Sequence, residues 1–349
     1  MSLSITKMYI TNIKVNGAFG VDFSSLELSE EQVQLVSERL PIYGVTSFCP
    51  TIISSTPELY KRNTPIIGQC QSKNSKILGL HLEGPLFQPS QRGAHALENI
   101  ISEIHEEQKS DEALEHIYGH YNLQQYVSLI TLAPELPGVI SVIKELVEKY
   151  EIVVSMGHTS STMEQGEEAV HNGATCLTHI FNAMTPIHHR RPGIIGLLCS
   201  QPQIKYGIIA DGIHVHPTAI QMAFQMNPNG LLLVTDAMAG LGMKNGSQTF
   251  LGNQKITVND GKAILTGTKD TLAGSIISMD ACVQNLFKFT NCSKAQAIAA
   301  ATYRPAQLLP KCCKNIGQIK VGYLADLVLL DFENLNLRGT WLQGICHSP

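Results

Sequence analysis

Little in this chain is strongly charged. Charged residues make up 15% of the 349 positions and the net charge is -4. There is no Lys/Arg-rich run and no nucleic-acid-binding motif, so no nucleic-acid partner is expected and any phosphate recognition should be local. No apolar stretch approaches the ~18 residues of a membrane helix, and no membrane association is expected. The opening MSLSITKMYI lacks a charged segment followed by a long apolar core. No secretion signal is read there, and a cytoplasmic enzyme is the expectation. The nine cysteines are scattered, with Cys312 and Cys313 adjacent but no C-x-x-C spacing. Neither a disulfide framework nor a cysteine zinc site follows. Cys49, Cys176 and Cys199 read as core residues, because free cysteine is among the most buried residue types.

What the chain does have is apolar patterning. Hydrophobic residues make up 44% of it, enough for a large core. Short β-rich runs lie at 9–16, 44–53, 76–82, 126–133, 151–157, 174–180, 204–210 and 230–236. Helical stretches such as LSEEQVQLVSERL, PGVISVIKELVEKY and TMEQGEEAVHNG separate them, the last acidic at its start and ending in glycine. Alternating strands and helices imply a parallel sheet, and eight units imply an α/β fold of the (β/α)8 TIM-barrel class. The barrel is expected over 9–320, with a β-hairpin inserted at about 247–268 around an Asn-Asp-Gly turn. Residues 321–349 read as a small satellite β-sheet.

Active sites of such barrels sit at the C-terminal ends of the strands. The polar residues fall there. Glu83 ends the third run, His158 the fifth, His179 the sixth and Asp236 the eighth, while His214 follows the seventh in ADGIHVHP. An isolated buried carboxylate is too costly to keep, so Glu83 needs a partner or a cation. Glu83, His158 and His179 meet the requirement of a hydrolytic site for three protein ligands and one open position, so one divalent ion per subunit is expected, with zinc the expected metal. Such an ion can lower the pKa of its water from about 15.7 to about 7, a differential stabilisation of hydroxide of roughly 12 kcal/mol. Asp236 would then carry a proton from that water to a departing amine, worth about 10²- to 10⁴-fold.

HLEGP followed by RGAH, then SMGHTSS, THIFNAMTP with HHRRPG, IIADGIH, LVTDAMAG and LAGS stand in an order and spacing that resemble the N-acetylglucosamine-6-phosphate deacetylases of the amidohydrolase superfamily. The match runs from about residue 16 to about residue 331. The resemblance implies hydrolysis of N-acetylglucosamine 6-phosphate to glucosamine 6-phosphate and acetate, by a homodimer acting on a small-molecule sugar phosphate. By position, Glu83, His158 and His179 match the metal ligands and Asp236 the catalytic aspartate. His95 matches a histidine that orients and polarises the acetyl carbonyl, with Ala94 beside it in the sugar pocket. Asn182 and Ala183 match substrate contacts, Arg190 and His214 a phosphate-binding pair, Asp211 a further substrate-side residue, and Leu272, Ala273 and Gly274 a loop over the sugar. An arginine fork suits phosphate, and main-chain N–H groups suit oxyanions. His188, His189 and Arg191 read equally as a solvated basic loop, His216 as a helix-start residue, and Met222 and Met226 as core-facing.

Two departures stand against this match. Where many amidohydrolases carry an H-x-H pair for a second metal, this chain has Lys14-Val15-Asn16, so a single ion is expected. Single-metal members usually carry Gln in place of Lys14, whose charge is expected to weaken metal binding or repel the developing proton partner of the water. The resemblance also implies a longer segment before the first strand, so a truncated isoform with exposed satellite-strand edges is expected. Two other readings stand beside the deacetylase: a catalytically impaired chain that only binds amino-sugar phosphate, and an amidohydrolase acting on another amide.

Overall fold

The computed structural model describes residues 9–105 and 109–347. Residues 1–8, most of the segment read for a secretion signal, lie outside them. Eight parallel strands form the central sheet: β1 (Thr11–Val15), β2 (Ser47–Ile52), β3 (Leu80–Glu83), β4 (Val127–Leu132), β5 (Val153–Met156), β6 (Cys176–Leu177), β7 (Lys205–Ile209) and β8 (Leu231–Val234), each paired with its neighbour in chain order. The last strand comes back to the first. The Asp236 N–H donates to the Lys14 carbonyl at 3.2 Å and the Asn16 N–H to that of Ala237 at 2.7 Å. Inside, the Asn12 amide donates to Thr235 Oγ1 at 2.7 Å. The result is the (β/α)8 barrel that the alternating pattern implies.

The outer helices follow from apolar spacing. In the helix Val139–Glu148 the buried residues are Val139, Val142, Ile143 and Leu146, the i, i+3, i+4, i+7 stripe that packs on the sheet. Helices Glu30–Arg39 and Met163–His171 start at capping boxes, Ser29 with Gln32 and Thr162 with Gln165, each satisfying otherwise orphaned N–H groups. Within the barrel a polar layer replaces the usual branched apolar one. Thr131 Oγ1 lies 2.7 Å from His81 Nε2 and 2.8 Å from Thr178 Oγ1, and Ser155 Oγ lies 2.6 Å from Thr178 Oγ1. Burial pushes the His81 pKa down to about 3.

Details differ from the sequence pattern for local reasons. The run 76–82 is broken into Lys76–Ile77 and β3 by Gly79, which has φ 100° and would place a Cβ 2.0 Å from Ser128 Oγ. The insertion after β8 has three strands, β9 (Gln248–Leu251), β10 (Gln254–Asn259) and β11 (Lys262–Leu265), with Asn259-Asp260-Gly261 leading from the second to the third. Cys199 is exposed rather than in the core, because in the short helix Leu197–Ser200 it is Leu197 and Leu198 that pack inward. Met222 is likewise exposed. Near the C-terminus β12 (Leu327–Leu330), β13 (Leu337–Leu342) and β14 (Ile345–His347) form an antiparallel sheet, tied to the barrel by Thr340 donating to the Pro41 carbonyl at 2.7 Å. Among the described residues no helix is long and apolar enough to cross a membrane.

Candidate active site

Four of the strand-following residues meet at the C-terminal mouth. Glu83 is the last residue of β3, while His158, His179 and Asp236 each lie two residues beyond β5, β6 and β8. All three of these turn residues have positive φ, at 51°, 25° and 53°, a conformation costly for a side chain with a Cβ and concentrated at functional sites. Gly157 makes one of the turns possible, since a Cβ there would stand 2.8 Å from Thr178 Cβ.

Glu83 Oε1 lies 3.2 Å from His158 Nε2 and 3.1 Å from His179 Nε2. The three ligand atoms fall within 4.8 Å of one another, and all three residues are buried. Tautomers show what this triangle wants. His158 Nδ1 faces the Gln91 carbonyl at 2.9 Å, an acceptor, so the ring proton sits on Nδ1 and Nε2 turns a lone pair toward a carboxylate oxygen. Burial pushes the His158 pKa down, which keeps the ring neutral. Two acceptors facing each other repel unless a cation lies between them, so the donor set fits a divalent ion. The Phe87 ring stacks on His158 at 4.1 Å between centroids and holds the imidazole plane. His179 Nδ1 is buried and has no hydrogen-bond partner among the described residues, so its orientation is set by the backbone turn and packing.

His95 has the opposite tautomer. The Ser54 N–H donates to its Nδ1 at 3.2 Å, with Ser54 Oγ at 3.0 Å, so the proton is on Nε2, which points toward Glu83 Oε2 at 3.8 Å. Burial, reinforced by the neighbouring His158, holds the His95 pKa well below its usual value. A neutral imidazole with an N–H aimed into the site is a hydrogen-bond donor for an oxygen.

Lys14 enters from β1 with its side chain 2% exposed. Its Nζ donates to Glu83 Oε2 at 2.8 Å and also to Asp236 Oδ1, which accepts in addition from the Asn16 amide at 2.7 Å. Burial alone would lower the Lys14 pKa, but the two carboxylates, Asp236 first, raise it, so the group is an ammonium. Burial alone would raise the Glu83 pKa, yet the Lys14 charge helps hold it well below the usual carboxylate range.

A cavity of about 160 Å³ opens above these groups, lined among others by Ala94, Asn182, Ala183, His214, Leu272 and Gly274. His214 is fixed by Asp211, whose Oδ2 accepts from its Nδ1 at 2.6 Å. Asp211 thus stands behind His214 rather than in the wall. Ala273 packs into the apolar cluster of Met238, Leu251 and Ile256. Arg190 is exposed on the loop after β6 and does not line the cavity, and His188, His189 and Arg191 are exposed beside it. His216 caps the helix Pro217–Met226. A larger cavity of about 670 Å³ lies at the opposite end of the barrel, against Leu78, Val127 and Val153. Convergent titratable groups mark the smaller cavity as the chemical one.

Glu135, not anticipated from the sequence, accepts from Ser160 N at 2.6 Å, from the hydroxyls of Ser160 and Ser161 at 3.3 and 3.2 Å, and from Thr159. It clamps the loop that carries His158. Its place just beyond β4, like those of the other site residues beyond their strands, was the available signal.

The amidohydrolase family profile matches residues 9–347. The chain is 42% identical over 341 residues to the N-acetylglucosamine-6-phosphate deacetylase of Homo sapiens, covering 95% of this chain and 81% of that protein. It is 40% identical over 344 residues to that of Caenorhabditis elegans, covering 95% and 80%. Among solved structures it resembles the deacetylase of the same name from Pasteurella multocida, at TM-score 0.86 and 29% identity over 98% of this chain and 86% of that one. It also resembles a mutant of the Mycobacterium smegmatis deacetylase solved in complex with N-acetyl-D-glucosamine-6-phosphate, at TM-score 0.83 and 28% identity over 98% and 86%. This chain belongs to the amidohydrolase family and, within it, to the family of N-acetylglucosamine-6-phosphate deacetylases.

Proposed function

We propose that the chain hydrolyses N-acetylglucosamine 6-phosphate to glucosamine 6-phosphate and acetate. The observation that carries this reading is the convergence of Glu83, His158 and His179 on one point beside Asp236 and His95, in a chain 42% identical to a deacetylase of that name. Glu83, His158 and His179 would hold one divalent ion, with zinc favoured by the two-nitrogen, one-carboxylate donor set. When bound, such an ion supplies Lewis acidity toward the acetyl carbonyl and acidifies water.

The protein does the rest with its own side chains. Asp236 takes a proton from the attacking water and hands it to the sugar nitrogen as the C–N bond breaks, which makes the amine a competent leaving group. The Nε2–H of His95 orients the acetyl oxygen. Asn182, Ala183, Ala94, Leu272 and Gly274 shape the sugar pocket, with Ala273 supporting the last two from beneath. His214, locked by Asp211, and Arg190 take the phosphate. The working unit is a homodimer, and the expected compartment is the cytoplasm.

One observation favours a second reading. The pairing of Lys14 with Asp236 engages the proton carrier, as a chain that binds amino-sugar phosphate without turnover would. An assay of acetate release from N-acetylglucosamine 6-phosphate, from N-acetylglucosamine and from a cyclic ureide separates the cases. The deacetylase reading requires release from the phosphorylated sugar above all. Binding of that sugar without acetate release establishes the second reading, and turnover confined to the ureide points to a different amidohydrolase activity.

A further inference from the structure

Glu83 and Asp236 each present two oxygens, and the two oxygens of each carboxylate have different neighbours. Glu83 Oε1 faces His158 and His179, while Oε2 accepts from Lys14 at 2.8 Å. Asp236 Oδ1 accepts from Lys14 and from the Asn16 amide. Among the described residues no side-chain hydrogen bond engages its Oδ2. A single buried ammonium therefore touches both the metal-ligand carboxylate and the proton carrier. It belongs to β1, a rigid strand, and it cannot leave the barrel without uncovering two buried charges.

We infer that Lys14 is a built-in cation that lowers the affinity of the Glu83–His158–His179 site for a divalent ion and assigns the working oxygens, Glu83 Oε1 for the ion and Asp236 Oδ2 for the proton. The inference rests on the metal assignment made above. With the histidine rings neutral, the fixed charges here are the two carboxylates and the ammonium, so an incoming ion meets a net -1. Without Lys14 it would meet -2. The ammonium also keeps Glu83 Oε2 occupied, which confines Glu83 to a single donor oxygen. Both effects weaken binding, and they leave an apo site already neutralised in part. The site therefore holds its ion less tightly than the same donor set would with an uncharged residue at position 14.

The test is competition titration of zinc against a chelator of known affinity. It uses wild type, Lys14→Gln, Lys14→Met and the charge-retaining Lys14→Arg, all purified metal-loaded so that folding of the apo variants is not required. The uncharged variants should bind zinc roughly tenfold to a hundredfold more tightly than wild type, and Lys14→Arg should stay within a few-fold of it. Their chelator-treated forms should melt lower than chelated wild type, so that zinc widens their melting gap more. Unchanged or weaker affinity in the uncharged variants, with one equivalent still bound, overturns the role of Lys14 alone. No stoichiometric zinc in any of the four proteins overturns the metal assignment itself. If neither uncharged variant folds even when loaded, chelated wild type decides by NMR. A slowly exchanging Lys14 ammonium signal that shifts on zinc addition supports the inference, and its absence contradicts it.

Discussion

The Nδ1 proton of His158 is committed to the Gln91 carbonyl and that of His95 lies on the opposite nitrogen, so two histidines 4.6 Å apart between centroids have different chemistry. One offers a lone pair and the other an N–H. Sequence could place both near the mouth but could not assign either tautomer, because the deciding partners, Gln91 and Ser54, are read only from tertiary contacts. Asp236 is the residue whose role is most exposed to test. Asp236→Asn should keep the bound metal while lowering kcat by about 10²-fold or more, with metal content and turnover measured on one preparation. Full turnover in that variant would remove Asp236 from the proton path. His81 yields a pH prediction. Its folded pKa of about 3 lies below the ordinary 6.5, so between those values the unfolded chain binds more protons. The His81 contribution to stability is complete above pH 6.5 and is lost as pH falls toward 3. Urea midpoints of chelator-treated protein should fall between pH 7 and pH 4.5, and fall less steeply in His81→Gln. Equal slopes would show that His81 is not the group being titrated.

At the scale of elements, the eight strands were legible because each is a short apolar run bounded by helical periodicity, and the polar residues ending or following five of the runs betrayed the direction of the mouth. Gly79 and the first strand of the insertion were not legible. A glycine inside an apolar run is ambiguous until its neighbour, here Ser128, is known, and QTFL separates from QKITVN as its own strand only once the turn at Gly252-Asn253 pairs the two. The loop 159–161 depends on a partner from another unit, Glu135. Removing that clamp in Glu135→Ala should loosen the His158 turn and weaken zinc binding about 10- to 100-fold, as loss of groups supporting metal ligands does. Affinity equal to wild type in a competition titration would show that backbone packing alone holds the turn.

The whole molecule closes a barrel on a charge arrangement assembled from β1, β3, β5, β6 and β8, so no single segment contains the site and only the fold brings it together. The Glu83–His158–His179 cluster and Asp236 were nonetheless visible in sequence, because one architecture sends every strand end to the same mouth. Arg190 shows the limit of that logic. The resemblance implies a phosphate-binding role for it, yet it stands exposed on its loop, outside the cavity. Arg190→Ala should raise KM for N-acetylglucosamine 6-phosphate at least tenfold with kcat changed less than threefold, and should leave KM for the unphosphorylated sugar unchanged. Equal effects on both substrates would place Arg190 outside phosphate recognition.

The central claim, that Glu83, His158 and His179 hold one ion that this chain uses to cleave an acetamide, is tested most directly by titrating chelator-treated protein with zinc while following acetate release from N-acetylglucosamine 6-phosphate. Activity should be absent without metal, rise with added zinc and saturate at one bound equivalent per chain. Acetate release that is independent of metal, or no release at any loading, would contradict it.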